Sequence, residues 1–209
     1  MKAALLGLGA AILTTACSTV GVRSGTEEPA WREIARIGEI EVRTYETRIA
    51  ARTMVTGDSD AARNAGFRKL AAYIFGANAG RTSIAMTAPV AQASSQTIAM
   101  TAPVAQAPSG TGLWAIEFFM PAEWTLESLP VPRDPAVQLV AVPAETFAVL
   151  RFSGVGSVRA VEAHKAELIA GVAGSGWRAV GEPVAWFYDP PWSVPAMRRN
   201  EVAVRVERR

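Results

Sequence analysis

The chain has 209 residues, of which 50% are hydrophobic and 19% charged, so it has enough apolar surface for one generous domain or two small ones. Formal net charge is +2, with Arg208 and Arg209 merely ending the chain and no stripe of Lys and Arg elsewhere. A nucleic-acid partner therefore lacks an electrostatic footprint.

In chain order, Lys2 and the apolar run Ala3 to Leu13, too short to span a bilayer, lead into Leu13-Thr14-Thr15-Ala16-Cys17. This segment resembles a bacterial lipobox, with its Leu one place early. The resemblance implies a signal peptide over residues 1–17, cleaved before the chain's one cysteine, and lipidation of Cys17. Acyl chains there hold a protein on a membrane surface, and Ser18 favours an outer-membrane lipoprotein facing the periplasm. The alternative is an ordinary secretory signal with an incidental Cys17 and a periplasmic or secreted product. Residues 18–33, rich in Ser, Thr, Gly and Glu, read as a flexible tether in which Glu27 and Glu28 are solvated.

The domain is expected over 34–209. Ile40, Val42 and Thr44 alternate with Glu41 and Arg43, and Ile49 to Val55 is β-branched and apolar, giving two strands around a turn at Tyr45 to Arg48. Gly57-Asp58-Ser59-Asp60 supplies a turn and an N-cap. Phe67, Leu70, Ala71 and Ile74 then form one helical face, and Gly76 ends the helix. Leu113 to Met120 is a strand stopped by Pro121. A proline-rich crossover over 121–135 leads to strands at Val137 to Val142 and Phe147 to Phe152. A second helix spans about Ser157 to Ala173 on the stripe Val158, Val161, Leu168, Ile169 and Val172. Trp177 to Tyr188 and Glu201 to Glu207 are the last strands. The order is a tandem α+β pseudo-repeat, read as one domain because neither half carries a comfortable core.

Between the first helix and the strand at Leu113 the chain nearly repeats itself. Ile84-Ala85-Met86-Thr87-Ala88-Pro89-Val90-Ala91-Gln92-Ala93 returns as Ile98-Ala99-Met100-Thr101-Ala102-Pro103-Val104-Ala105-Gln106-Ala107 across the linker Ser94-Ser95-Gln96-Thr97. Two copies are too few for a solenoid. Pro removes a ladder donor, so a hairpin or a pair of edge strands is expected, with Met86 and Met100 as core filler. The segment Ile-Ala-Met-Thr-Ala-Pro-Val, followed by Trp114 to Pro121 and by Tyr188 to Glu201, resembles the SOUL/heme-binding protein family in three motifs in order. The resemblance implies a distorted antiparallel β-barrel with two helices, and reversible, non-covalent binding of heme or a related tetrapyrrole for scavenging, buffering or transport. It further implies a ligand against the first helix and the loop before the last strand. The matching residues are Arg63, Phe67, Leu70, Tyr188, Trp192, Met197 and Arg198. Where better-known binders carry a basic residue in this loop, Ser193 and Val194 stand here.

The residues alone exclude some chemistry. With one His and one Cys, neither covalent haem attachment through Cys-x-x-Cys-His nor a zinc site of the usual donors can be built. His164, at the border of the second helix's apolar stripe, reads as a partly exposed helix residue, with an axial iron ligand as the sharper alternative. No catalytic constellation is visible. An enzyme would have to draw on Glu182, Tyr188 or Asp189. A general carrier of hydrophobic small molecules, as in related effector-binding folds, and a ligand-free envelope scaffold are the remaining alternatives.

Overall fold

The computed structural model describes residues 26–95, 112–189 and 192–209. The segments proposed as signal peptide and lipidation site (Cys17), and the second copy of the repeated segment with Met100, lie outside the described residues.

Nine strands form one antiparallel sheet: β1 (Trp31–Ile37), β2 (Ile40–Tyr45), β3 (Arg48–Gly57), β4 (Val90–Ser95), β5 (Gly112–Phe119), β6 (Val137–Val142), β7 (Glu145–Phe152), β8 (Trp177–Phe187) and β9 (Asn200–Arg208). Helix α1 (Ser59–Ile74) follows β3, and α2 (Val158–Ala173) follows β7. The spatial order is β1-β2-β7-β9-β8-β4-β5-β3-β6. The chain is thus α+β, but the expected barrel is not closed, because β1 and β6 are edges that do not pair with each other.

The pseudo-repeat is visible in this order. Each repeat runs strand, strand, helix, strand, strand, as β2-β3-α1-β4-β5 and β6-β7-α2-β8-β9. Each lends its first strand to the other: β2 pairs with β7, and β6 pairs with β3. The halves meet through three residue pairs, Val90–Phe187 to Gln92–Ala185. Exchange of strands makes one domain of what would otherwise be two thin ones.

Period-2 alternation then sorts side chains onto two faces. On the outer face, Val161, Leu168 and Val172 of α2 pack on Val42, Leu150, Val202 and Val204, while Leu70, Tyr73 and Ile74 of α1 pack on Ala51, Ile116 and Phe118. The inner face has its own cluster, including Tyr45, Phe119, Val142, Phe147 and Trp186. These residues come from both ends of the strand order, so the sheet curls around this face.

Several local expectations meet a different outcome. Asp58 caps α1, its carboxylate accepting from the Ala61 N–H at 2.8 Å, and Gly76 follows the helix at φ +107°. Leu70 and Ile74 of the expected α1 face are buried and Ala71 packs partly against the same core, but Phe67 is exposed and the buried face runs instead through Ala62, Gly66 and Tyr73. Gly66 explains this: a Cβ there would lie 2.4 Å from Ile116 Cγ1, so the helix seats its smallest residue against β5. On α2, Val158 and Ile169 of the expected stripe are exposed. The first repeated segment does not form an edge. It enters β4, bonded to β5 on one side and β8 on the other. Pro89 sits just before the strand, where its missing N–H takes nothing from the ladder. Met86 is exposed rather than core. The fold also starts inside the expected tether: β1 begins at Trp31, Glu27 bridges Thr87 and accepts from the Ala122 N–H, and Glu28 pairs with Arg199.

Candidate functional site

Sequence-matched residues divide between the two faces. On the outer side, Arg63 of α1 lies over the Phe187 ring at 4.5 Å, reaches the Gly156 carbonyl at 3.4 Å and pairs with Asp60 at 2.6 Å. A Cβ on Gly156 would be 2.5 Å from Phe187 Cε1, so a bare backbone is what lets loop 153–157 lie on that ring. The same loop is tied to the closing loop, since the Gly154 N–H donates to the Pro195 carbonyl at 2.9 Å and Asn200 Nδ2 donates to the Gly154 carbonyl at 3.0 Å. Arg63 and the closing loop are therefore joined through loop 153–157. Phe67, one turn along α1 on the Arg63 side, is 37% exposed and meets Phe118 edge-on. Trp192 is 65% exposed, and Met197, Val194 and Val155 are exposed as well. Arg198 folds onto its own loop, Nε donating to the Ser193 carbonyl at 2.9 Å. Val155 was not singled out in sequence, and Val194 was read there only as standing where a basic residue is usual. An isolated valine in a Gly- or Pro-flanked loop carries no periodic signal.

Two of the matched residues are not there. Leu70 is fully buried in the α1 core. Tyr188 turns to the inner face, where its hydroxyl donates to Glu201 Oε2 at 2.6 Å. His164 stays on α2, stacked on Phe152 at 4.2 Å between centroids, with Nδ1 3.0 Å from Glu167 Oε2.

The inner face holds an ionic network. Glu201 is 0% exposed and accepts from Arg43 Nη1 at 3.0 Å and Nη2 at 3.2 Å, from Arg199 Nε at 2.9 Å, and from Tyr188. Arg43 is 3% exposed and also reaches Glu41 at 2.6 Å, while Arg199 reaches Glu28 at 3.0 Å and lies over the Tyr188 ring at 3.8 Å. Burial pulls the Arg43 guanidinium down, but the charge and hydrogen bonds of Glu201 outweigh it and raise it above its ordinary value. Burial, then the Glu201 charge, pushes the Tyr188 phenol far up, so it stays a hydrogen-bond donor at neutral pH. Beside this network the curled sheet leaves a groove of ≈ 220 Å³ lined by Arg48, Arg52, Glu117, Glu145, Phe119, Phe147 and Trp186.

The family model described as SOUL heme-binding protein matches residues 26–205. The chain belongs to this family. A comparison with curated proteins gives no match. Among solved structures, this SOUL protein is similar to an uncharacterized conserved protein from Listeria innocua (TM-score 0.59, 15% identity, covering 83% of this chain and 94% of that one). It is also similar to a hydrolase from Listeria innocua (TM-score 0.54, 13% identity, 83% and 94% covered) and to EcmrR in a DNA complex (TM-score 0.58, 12% identity, 81% of this chain covered). The SOUL chain spans 57% of that EcmrR chain. At such identities the likeness is one of fold.

On the α1 side of the SOUL protein Phe67, Val155, Val194 and Met197 are exposed apolar side chains, and the Arg63 guanidinium lies on the Phe187 ring. The space between the helices around Arg63 and Val161 is closed down to ≈ 10 Å³, so no slot encloses a ring there. The sequence's one imidazole is already stacked and hydrogen-bonded on α2.

Proposed function

We propose that this SOUL protein binds haem or a related tetrapyrrole reversibly, without a covalent bond, on the surface formed by the start of α1, loop 153–157 and loop 192–198. The observation that carries the reading is that Arg63 is linked through loop 153–157 to a closing loop whose Trp192, Val194 and Met197 are exposed, in a family whose model is described as heme-binding. A porphyrin offers a flat apolar face and two carboxylates, and this surface offers the complement of each. Phe67, Val194 and Met197 contact the face, Trp192 closes over it, and Arg63 and Arg198 meet the propionates. Iron takes no ligand from His164. Open, unligated binding suits scavenging, buffering or delivery rather than a bond-making step. The carrier works at the bacterial cell envelope, anchored through Cys17.

Haemin titration of the full chain, followed by absorbance, tests the reading. Saturable one-to-one binding at micromolar haemin is expected, with Phe67→Ser or Arg63→Glu weakening it about tenfold, the size of a lost apolar side chain or charge-assisted bond. His164→Ala leaves it unchanged. Absence of saturable binding would sink the tetrapyrrole reading, and loss of binding in His164→Ala would replace the open surface with an axial site. Fractionation tests the anchor separately: Cys17→Ser should move the protein from the membrane to the soluble fraction.

A further inference from the structure

The groove on the inner face plays no part in the tetrapyrrole reading, and it holds a cation that the fold only half satisfies. Arg48 opens β3 with its side chain 10% exposed. Its guanidinium sits over the rings of Tyr45 and Phe119, each at 4.9 Å, and 6.0 Å from that of Phe147. Its polar contacts are long: Nη1 is 3.4 Å from the Glu46 carbonyl, Nη2 is 3.7 Å from Glu145 Oε2, and Nε has no partner. A buried guanidinium presents five donors and ordinarily satisfies them at 2.7–3.2 Å or so. Glu145 is not its alone either, because Arg205 lies 3.7 Å from the other carboxylate oxygen. Arg52, by contrast, is in direct contact with Glu117. The groove's two arginines face two carboxylates, but Arg205 draws on Glu145 from outside, so Arg48 is the less well paired of the two cations. The direction of the Arg48 equilibrium agrees: burial draws it below its usual value, with Glu145 acting against that.

Beside this cation the floor is bare. Ala91, Ala93 and Ala115, on β4 and β5, point into the groove and leave its ≈ 220 Å³ open under Phe119, Phe147 and Trp186. That volume is below the roughly 300–1,000 Å³ of pockets for drug-sized ligands. We propose that this groove is a second binding site, for a small monocarboxylate carrying one aromatic ring or a short alkyl chain. The carboxylate takes Nη1 and Nη2 of Arg48 in place of their long contacts to the Glu46 carbonyl and Glu145, a bidentate geometry that guanidinium favours, and the hydrocarbon lies on the alanine floor. The aromatic rings cover the guanidinium face and leave its donors to the ligand. A tetrapyrrole exceeds the slot, so the two sites are independent.

Calorimetric titration of the full chain with benzoate and with its uncharged amide, benzamide, tests this without any substitution. Benzoate should bind one-to-one and benzamide about tenfold or more weakly, the worth of one charge-assisted hydrogen bond. Arg48→Gln should lower benzoate affinity by a similar factor with the thermal midpoint retained. Ala115→Phe should fill the slot and abolish binding while Arg48 stays in place. Haemin binding should be the same in both variants, which separates failure of this site from failure of the outer surface. Equal affinity for benzoate and benzamide, no saturation at millimolar benzoate, or benzoate affinity surviving both substitutions would each overturn the proposal.

Discussion

Replacing Glu201 with Ala is the most demanding test of the inner face. The carboxylate is 0% exposed and accepts from two arginines and a tyrosine, so its removal leaves Arg43, at 3% exposure, with Glu41 as its remaining carboxylate. Arg199 keeps Glu28. Breaking a buried pair by deleting one partner costs about 3–5 kcal/mol, mostly from the charge left behind. The two surviving carboxylates place this case near the lower end, about 3 kcal/mol. For a chain of this size that corresponds to a loss of roughly 6–12 °C in thermal midpoint. Urea unfolding should show the midpoint falling with an unchanged slope, since the surface exposed on unfolding is the same. Tyr188→Phe, which removes one hydrogen bond and no charge, should cost about 1–2 kcal/mol. In a double-mutant cycle, Arg43→Met with Glu201→Leu should recover much of the loss, because neither charge is then stranded. A Glu201→Ala protein within about 1 kcal/mol of the parent would refute the claim that the network is dry and tightly coupled.

Three further outcomes follow from packing and ionisation. Gly66→Val should destabilise by about 1–3 kcal/mol or more through overpacking, since its Cβ would fall 2.4 Å from Ile116 Cγ1; Gly66→Ala should be milder, and an unchanged urea midpoint for either would contradict the close approach of α1 to β5. Asp58→Ala removes the cap on the Ala61 N–H and should cost about 1 kcal/mol in the same measurement, with Asp58→Asn largely neutral. Burial pushes the Tyr73 phenol up to about 12 while its hydroxyl donates to the Pro130 carbonyl. Because the folded state holds this proton more tightly, its contribution is complete below the ordinary value of 10.0 and is lost as pH rises towards 12; the alkaline limb of stability against pH should flatten in Tyr73→Phe.

Much of the architecture was legible because alternation and helical periodicity are local. Ile40 and Val42 do face the α2 core, and both helices start at residues whose side chains cap them. The second face of the sheet was harder to read. Glu41 and Arg43 look in sequence like the solvated side of an ordinary strand, and Arg48 like part of a turn, yet the curled sheet buries Arg43 and largely covers Glu41 and Arg48. Nothing local marks the difference, because the partners are remote: Arg43 meets Glu201, and Glu28 meets Arg199 near the far end of the chain. On α1 the pattern found Leu70 and Ile74 but placed Phe67 on the buried face, because hydrophobicity gives glycine no weight and Gly66 is the residue seated against Ile116. Of the outer surface, Arg63 and the closing loop came from motif matching. Their juxtaposition depends on the backbone bonds of loop 153–157, and these leave no trace in residue type.

The exchange of first strands between the repeats has a consequence for synthesis. When β2, β3, α1, β4 and β5 have all left the ribosome, Val42 still awaits Ala148, and the outer edge of β3 awaits Val137 to Val142. Val202, Val204 and Val206, which seal the α2 core, arrive with β9, after both helices. The nascent first half therefore exposes three strand edges, of β2, β3 and β4, until the second half is made, a state prone to wrong pairing. The native sheet can assemble only once β9, which lies between β7 and β8, has been made. A protein wired this way is made as one cooperative unit, and truncation before β9 should yield a chain that is captured by chaperones rather than a smaller folded module.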